Sequence, residues 1–144
     1  MPATRAQVLA YLRSHTYGVE ASVSPSQRPQ AAVVGFIVTD TFELFFDTTD
    51  STRKVGNLRA NRDVAFVVGS AAKGDERTVQ YEGVADEPNS EELERLKEQY
   101  FQKFPDGRER VCWPGITYFR VRPRWLRFSD FGATPPEITE YSFE

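Results

Sequence analysis

The sequence contains one cysteine, Cys112, and one histidine, His15, in 144 residues. A single cysteine excludes an internal disulfide and any cysteine-based metal cluster. A single histidine excludes a histidine metal site and leaves a Ser-His-Asp triad unsupported, so no metal ligands are expected. No apolar run is long enough to span a membrane, and the opening MPATRAQVLAYLRSH interrupts its apolar spacing with charge. No targeting segment is expected, and a reducing, cytoplasmic setting fits best. An excess of one charge is also missing. The net charge is -3 with basic and acidic residues interleaved, which leaves no face prepared for a phosphodiester backbone. Neither nucleic acid nor a membrane is an expected partner.

What remains suits a folded domain. Hydrophobic residues make up 40% and charged residues 27%, enough for a packed core and too apolar for disorder. Neither half differs in composition, and there are no repeats, so residues 1–144 read as one domain. Thr4 and Gln7 have capping-box spacing ahead of Val8, Leu9 and Leu12, which predicts a short amphipathic helix. GVEASVS alternates apolar and polar residues, and PSQRP is turn chemistry. QAAVVGFIV is a β-branched apolar run, and TDTFELFFD supplies a further turn and strand. DVAFVVGS reads as a buried strand, AAKGDE as a loop, and RTVQYEGVADE as a long strand with Gly83 at a bulge. PNSEELERLKEQYFQKF predicts the longest helix, capped by Asn89 or Ser90, with Leu93, Leu96, Tyr100, Phe101 and Phe104 on its apolar face. After a polar loop, ITYFRVRP and RWLRFSDF predict two closing strands. Six to seven mostly antiparallel strands with short helices point to a β-barrel with α elements, an α+β class.

The stretch TTDSTRKVGNLRAN, residues 48 to 61, carries the chemistry. A helix starting near Ser51 or Thr52 would bury Val55 and Leu58 and end near Asn61 in the left-handed conformation. Its free first-turn amides would face the hydroxyls of Thr48, Thr49, Ser51 and Thr52, beside the cations of Arg53 and Lys54. Such a set suits a phosphate monoester. The alternative has Thr52 capping the helix and both cations solvated. Against it, two cations at the positive end of a helix dipole are unfavourable without an anion.

Other residues carry less. His15 falls where the first helix yields to the first strand and suits a structural or C-capping role. Cys112 has no neighbouring base and reads as a passive thiol. Phe119, Trp125 and Phe128 suit the core, with Trp113 set apart by its loop position. No pair of carboxylates stands out as an acid-base couple, so catalytic residues are unassigned.

LFFDTTDSTRKVGNLRANRDVAFVV resembles a segment of the pyridoxamine 5′-phosphate oxidase-like flavoproteins, which runs from a strand through T-x-x-x-S-R-K into a helix, then N-x-x-V and the next strand. SQRPQAAVVGF, VQYEGVADE and ITYFRVRPRWLRFSDF match further segments in the family's order. The resemblance, to the general-stress-protein-like branch, implies an FMN-binding split barrel that forms a two-fold homodimer with FMN in two grooves along the subunit interface. Thr52, Arg53 and Lys54 fall on the positions that grip the flavin phosphate, with Thr48 and Thr49 nearby. Val34 and Gly35 fall on the strand whose backbone lies along the isoalloxazine, and Thr78 stands where the oxidases place a glutamine against the ring. There are departures. Ala31 and Ala32 stand where the oxidases carry a phosphate-binding arginine, and Ser129-Asp130 replaces a Trp-Gln pair. No arginine or histidine after Arg127 supplies the Arg-x-His substrate clamp. These departures argue against pyridoxine phosphate oxidation. The implied function is an FMN-dependent oxidoreductase of unknown substrate. The alternatives are a flavin carrier or sensor without turnover, or a groove that holds a deazaflavin coenzyme or haem, the last with only His15 as an obvious axial ligand.

Overall fold

The computed structural model describes residues 2–69 and 72–144. Ser70, the last residue of the strand expected at DVAFVVGS, and Ala71, the first of the loop expected at AAKGDE, lie outside the described residues. Helix α1 (Arg5–Arg13) starts at the expected capping box. The Gln7 amide donates to the Thr4 hydroxyl at 3.1 Å and the Thr4 amide donates to the Gln7 side chain at 2.8 Å. Two pairs of otherwise orphaned groups are thereby satisfied, and Val8, Tyr11 and Leu12 turn inward.

Strands β1 (Tyr17–Val23), β2 (Pro29–Gly35), β3 (Ile37–Val38) and β4 (Leu44–Thr49) follow, then helix α2 (Arg53–Ala60). Next come β5 (Asp63–Gly69), β6 (Arg77–Asp86), helices α3 (Ser90–Lys103) and α4 (Gly107–Arg110), β7 (Ile116–Asp130) and β8 (Glu137–Ser142). Every pairing is antiparallel, in the order β2-β1-β5-β6-β7-β4-β3, with β8 also paired to β7. The two end strands, β2 and β3, are consecutive in the chain and joined through Phe36, so the sheet curls back toward itself as a split barrel. That is the expected architecture, with several differences in detail. β7 is one continuous strand where two were expected, because Pro123 pairs with Gly83 at the bulge, where the ladder already shifts and a missing amide costs little. β8 was not expected. It brings the number of strands to eight, and its residues are held by contacts with the N-terminus: Thr139 accepts from the Ala3 amide and Tyr141 donates to the Ala3 carbonyl. α4 forms in what read as a polar loop.

β4 shows how the layers are built. Phe46 points into the barrel with Phe66 and Phe119, whereas Phe45 points the other way, beneath Leu96, Tyr100 and Phe101 of α3. Its end is held by Asp47, which accepts from the Tyr100 hydroxyl at 3.0 Å and from Arg110 at 2.8 Å. Lys103 of α3 donates to the carbonyls of His15 and Phe36, tying the helix to the junction between β2 and β3. β1 has the less usual facing: Gly18, Glu20 and Ser22 are buried while Tyr17 and Val19 face out. Val19 pairs with Val33 and with Val67, so an apolar row of three valines runs across the outer face. Val33 and Val67 are 67% and 47% exposed. Among the described residues no helix is long and apolar enough to cross a membrane.

Candidate functional site

The site forms where β4 ends and α2 begins. Thr48 and Thr49 pair with Thr117 and Ile116 of β7, and the chain then turns, with the Thr52 amide donating to the Thr49 carbonyl at 3.0 Å. Thr52 occupies the N-cap position of α2, but its hydroxyl does not cap the helix. It donates to the Thr49 carbonyl at 2.9 Å and lies 3.1 Å from the Thr48 hydroxyl, while Thr49 and Ser51 face each other at 3.2 Å. The first-turn amides of α2 therefore keep their hydrogen-bonding capacity beside a cluster of hydroxyls.

Arg53 and Lys54 open the helix. Most of the 18 lysines and arginines are engaged by a carboxylate, a carbonyl or an aromatic ring. Among the described residues neither Arg53 nor Lys54 makes a hydrogen bond or a close ion pair, and no acidic residue lies in the first turn of α2 to offset them. Two adjacent free cations at the positive end of a helix are the electrostatic signature of an anion site. These residues fit the phosphate end of a flavin mononucleotide: hydroxyls, open amides, a guanidinium fork and an ammonium.

The position of α2 is set by a polar contact. Asn57, itself buried, donates to the Ser22 hydroxyl at 3.1 Å and to the Gln30 side chain at 2.6 Å, seating the helix on β1 and β2. The helix does not end as expected, because Asn61 is extended, with φ of -142°, and its side chain accepts from the Asp63 amide to lead into β5. The turn before α2 is set by Gly115, whose φ is +74° and where a methyl group would run into the Asp50 carboxylate. Gly115→Ala is expected to cost about 1–2 kcal/mol from the left-handed backbone alone. A matched loss of melting temperature and of phosphate-ligand affinity in this variant would check that the turn orders the hydroxyl cluster.

The remaining expected residues are placed as follows. Val34 pairs with Gly18, one step along the inward face from the Glu20–Ala32 pair, and its side chain belongs to the core. Gly35 is packed against Phe104, whose ring would lie 2.8 Å from a methyl group placed there. Close approach at Gly35 is thus made by a protein aromatic ring, and both residues face any ligand only with the main chain of β2, a strand paired on one side only. Thr78 pairs with Gly69 and Ser129. Along β7 the stretch from Thr117 to Ser129 is roughly 40 Å of strand at about 3.3 Å per residue. Thr78 is therefore at the far end of β7 from Thr48 and Thr49, and one chain does not bring it together with the hydroxyl cluster. His15 has its Nδ1 2.9 Å from the Tyr11 carbonyl at the end of α1, consistent with its expected capping position. Cys112 and Trp113 are exposed in the loop before β7, and Phe119 and Phe128 lie in the core.

Sequence reasoning missed Glu20. It is 1% exposed, its Oε1 has no hydrogen-bond partner among the described residues, and it lies within electrostatic reach of Lys54. Burial pushes its carboxyl above the usual range, partly offset by the Ser22 hydroxyl and by Lys54. An unfolded glutamate ionises near about pH 4.3, so above that pH the unfolded chain releases a proton that the fold retains. Glu20's contribution to stability is complete below that pH and is lost as pH rises through the folded value. Glu20→Gln is accordingly expected to gain stability over wild type progressively toward alkaline pH. Paired denaturant titrations at about pH 4 and about pH 8 test this, and an equal difference at both would rule it out. The sequence signal was the parity of β1: Gly18, Glu20 and Ser22 share the face that meets α2.

Comparison with known proteins agrees with this fold. Residues 4–130 match the family model described as pyridoxamine 5′-phosphate oxidase, and the chain belongs to that family. No curated protein matches the sequence. Among solved structures, the heme binding protein from Mycobacterium smegmatis superposes with a TM-score of 0.82 at 15% identity, over 99% of this chain and 59% of that one. The chain thus spans 59% of that protein's length. The heme storage protein HutZ from Vibrio cholerae gives 0.75 at 17% identity over 86% of this chain and 92% of that one. A pyridoxamine 5′-phosphate oxidase-related, FMN binding protein from Nostoc punctiforme gives 0.68 at 15% identity over 97% and 91%. At such identities the likeness is one of fold.

Proposed function

We propose that this chain is an FMN-binding flavoprotein acting as an oxidoreductase, and that two copies assemble the site. The observation that carries the reading is the free Arg53–Lys54 pair at the uncapped start of α2, beside the Thr48, Thr49 and Thr52 hydroxyls. In this reading Arg53 and Lys54 neutralise the phosphate, the hydroxyls and first-turn amides orient it, and the Val34–Gly35 main chain borders the ring. The bound flavin supplies the hydride and electron transfer. The protein's part is to bind, orient and exclude water, which is why the lack of an evident acid-base couple is compatible with activity. Thr78 would serve the ring of a site whose phosphate end belongs to the second copy, because one chain holds the two ends apart. The exposed row Val33, Val19 and Val67 gives that second copy an apolar surface to cover.

The test is to incubate the protein with excess FMN, remove free ligand, and measure bound flavin by absorbance and mass together with the mass of the assembly. One FMN per subunit in a dimer is the expected result. A haem Soret band with no retained flavin would replace the reading with haem binding. Flavin retained but neither reduced by a nicotinamide donor nor reoxidised would reduce it to a carrier.

A further inference from the structure

The proposed function leaves a buried carboxylate unused. Glu20 lies on β1, the strand on which α2 is seated, is almost completely buried, and has a carboxyl oxygen with no partner among the described residues. Its surroundings are sparse. The cross-strand neighbours are Ala32 on β2 and Phe66 on β5, and neither ionises. On its own strand the Ser22 hydroxyl is its neighbour, and Lys54 lies one turn before Asn57, whose side chain donates to Ser22, so it shares the face of α2 turned to β1 and is within electrostatic reach of Glu20. Lys54 is thus the ionisable side chain that answers Glu20, yet the two form no close ion pair, and Lys54 remains free at the anion site.

We propose that Glu20 is a positioning residue for Lys54, a proton-linked counter-charge beneath the phosphate pocket. Ionised, Glu20 draws the Lys54 ammonium inward and places a negative charge behind the pocket. Protonated, it releases Lys54 to a phosphate monoester. Binding of the dianion then takes up one proton from solvent onto the Glu20 carboxylate, and ligand release returns it. The physical reason is that a buried carboxylate and a phosphate compete for one ammonium, and their mutual repulsion in a poorly hydrated site favours adding a proton to the carboxylate. The orphaned Oε1 fits this, because the neutral acid leaves less unmet hydrogen-bonding demand there than the anion does. The inference rests on the phosphate reading of the site.

The experiment measures FMN binding calorimetrically in two buffers of different ionisation heat, across a pH series, for wild type and Glu20→Gln. The ligand's own phosphate titrates near about pH 6 and affects both proteins equally, so the ratio of their affinities isolates Glu20. The expected ratio is close to one at acid pH. It rises to about tenfold tighter binding by Glu20→Gln at alkaline pH, as expected when a like charge near an anion site is removed. Proton uptake should appear in wild type alone. Identical pH profiles and identical proton uptake overturn the proposal. A ligand-free arm follows the Glu20 carboxyl by carbon NMR against pH in wild type and Lys54→Gln. An upward move of its titration on loss of Lys54 is expected, and an unmoved titration overturns the coupling. Coupling in that arm without FMN binding in the first would overturn the flavin reading instead, leaving the Glu20–Lys54 linkage standing.

Discussion

Replacing Arg53 and Lys54 together by alanine is expected to weaken FMN binding by about a hundredfold or more while leaving the ligand-free protein as stable as before, or slightly more so. Hydrogen bonds to a charged group contribute about 1.5–3 kcal/mol each, and two lost cations amount to at least two orders of magnitude in affinity. Stability moves the other way. Both cations sit at the positive end of α2 without a hydrogen bond or close ion pair among the described residues, and removing each returns about 0.3–1 kcal/mol, offset at Lys54 by the attraction that it gives the buried Glu20. Alanine is also the best helix former. Calorimetric binding and thermal melting on the same samples separate the two effects. Arg28→Ala serves as the charge-matched control, because Arg28 is exposed in the turn between β1 and β2 and far in sequence from the cluster. Unchanged affinity in the double variant would falsify the phosphate assignment. Equal losses of affinity and melting temperature would make the pair a structural element.

The largest loss of stability is expected at Gly83. A methyl group there would run into the Arg122 carbonyl and lie 2.7 Å from Val121. The first obstacle is backbone and cannot rotate aside, and the position is enclosed by the bulge that admits Pro123 into β7. Relief requires β6 and β7 to separate where their pairing shifts. Overpacking of a compliant core costs about 1–3 kcal/mol, and with main chain as the obstacle Gly83→Ala should reach or exceed the upper end. Chemical denaturation should show a lower midpoint with an unchanged slope. A loss under about 0.5 kcal/mol, the size of an ordinary surface substitution, would show that the bulge can absorb the methyl group.

The elements that could be read in advance were those whose residues see only their sequence neighbours. The Thr4 capping box, the bulge at Gly83 and the apolar face of α3 depend on local spacing and appear as expected. β8 could not be read that way. Thr139 and Tyr141 meet Ala3, and the Arg5 guanidinium lies over the rings of Phe42, Tyr141 and Phe143, contacts between the two ends of the chain that no local pattern records. The candidate site divides along the same line. The Thr48–Lys54 cluster is contiguous and was legible. Glu20 was hidden by alternation, because the valines of β1 face outward and its polar residues face α2. The Asn57 contact to Ser22 and Gln30 makes that polar face tolerable to bury.

β7 has a bearing on the order of events during synthesis. It pairs with β4, β6 and β8, elements that begin at Leu44, Arg77 and Glu137. Until Asp130 has emerged, β4 and β6 have no common neighbour to join them, and the residues of the Thr48–Lys54 cluster lack the Thr117 and Ile116 rungs that fix the end of β4. Such long-range closure favours late, cooperative folding. The Thr48–Lys54 cluster, encoded in the first half of the chain, should therefore gain its shape only when the last quarter is made, and a ribosome stalled before that point would carry the complete motif without its folded geometry.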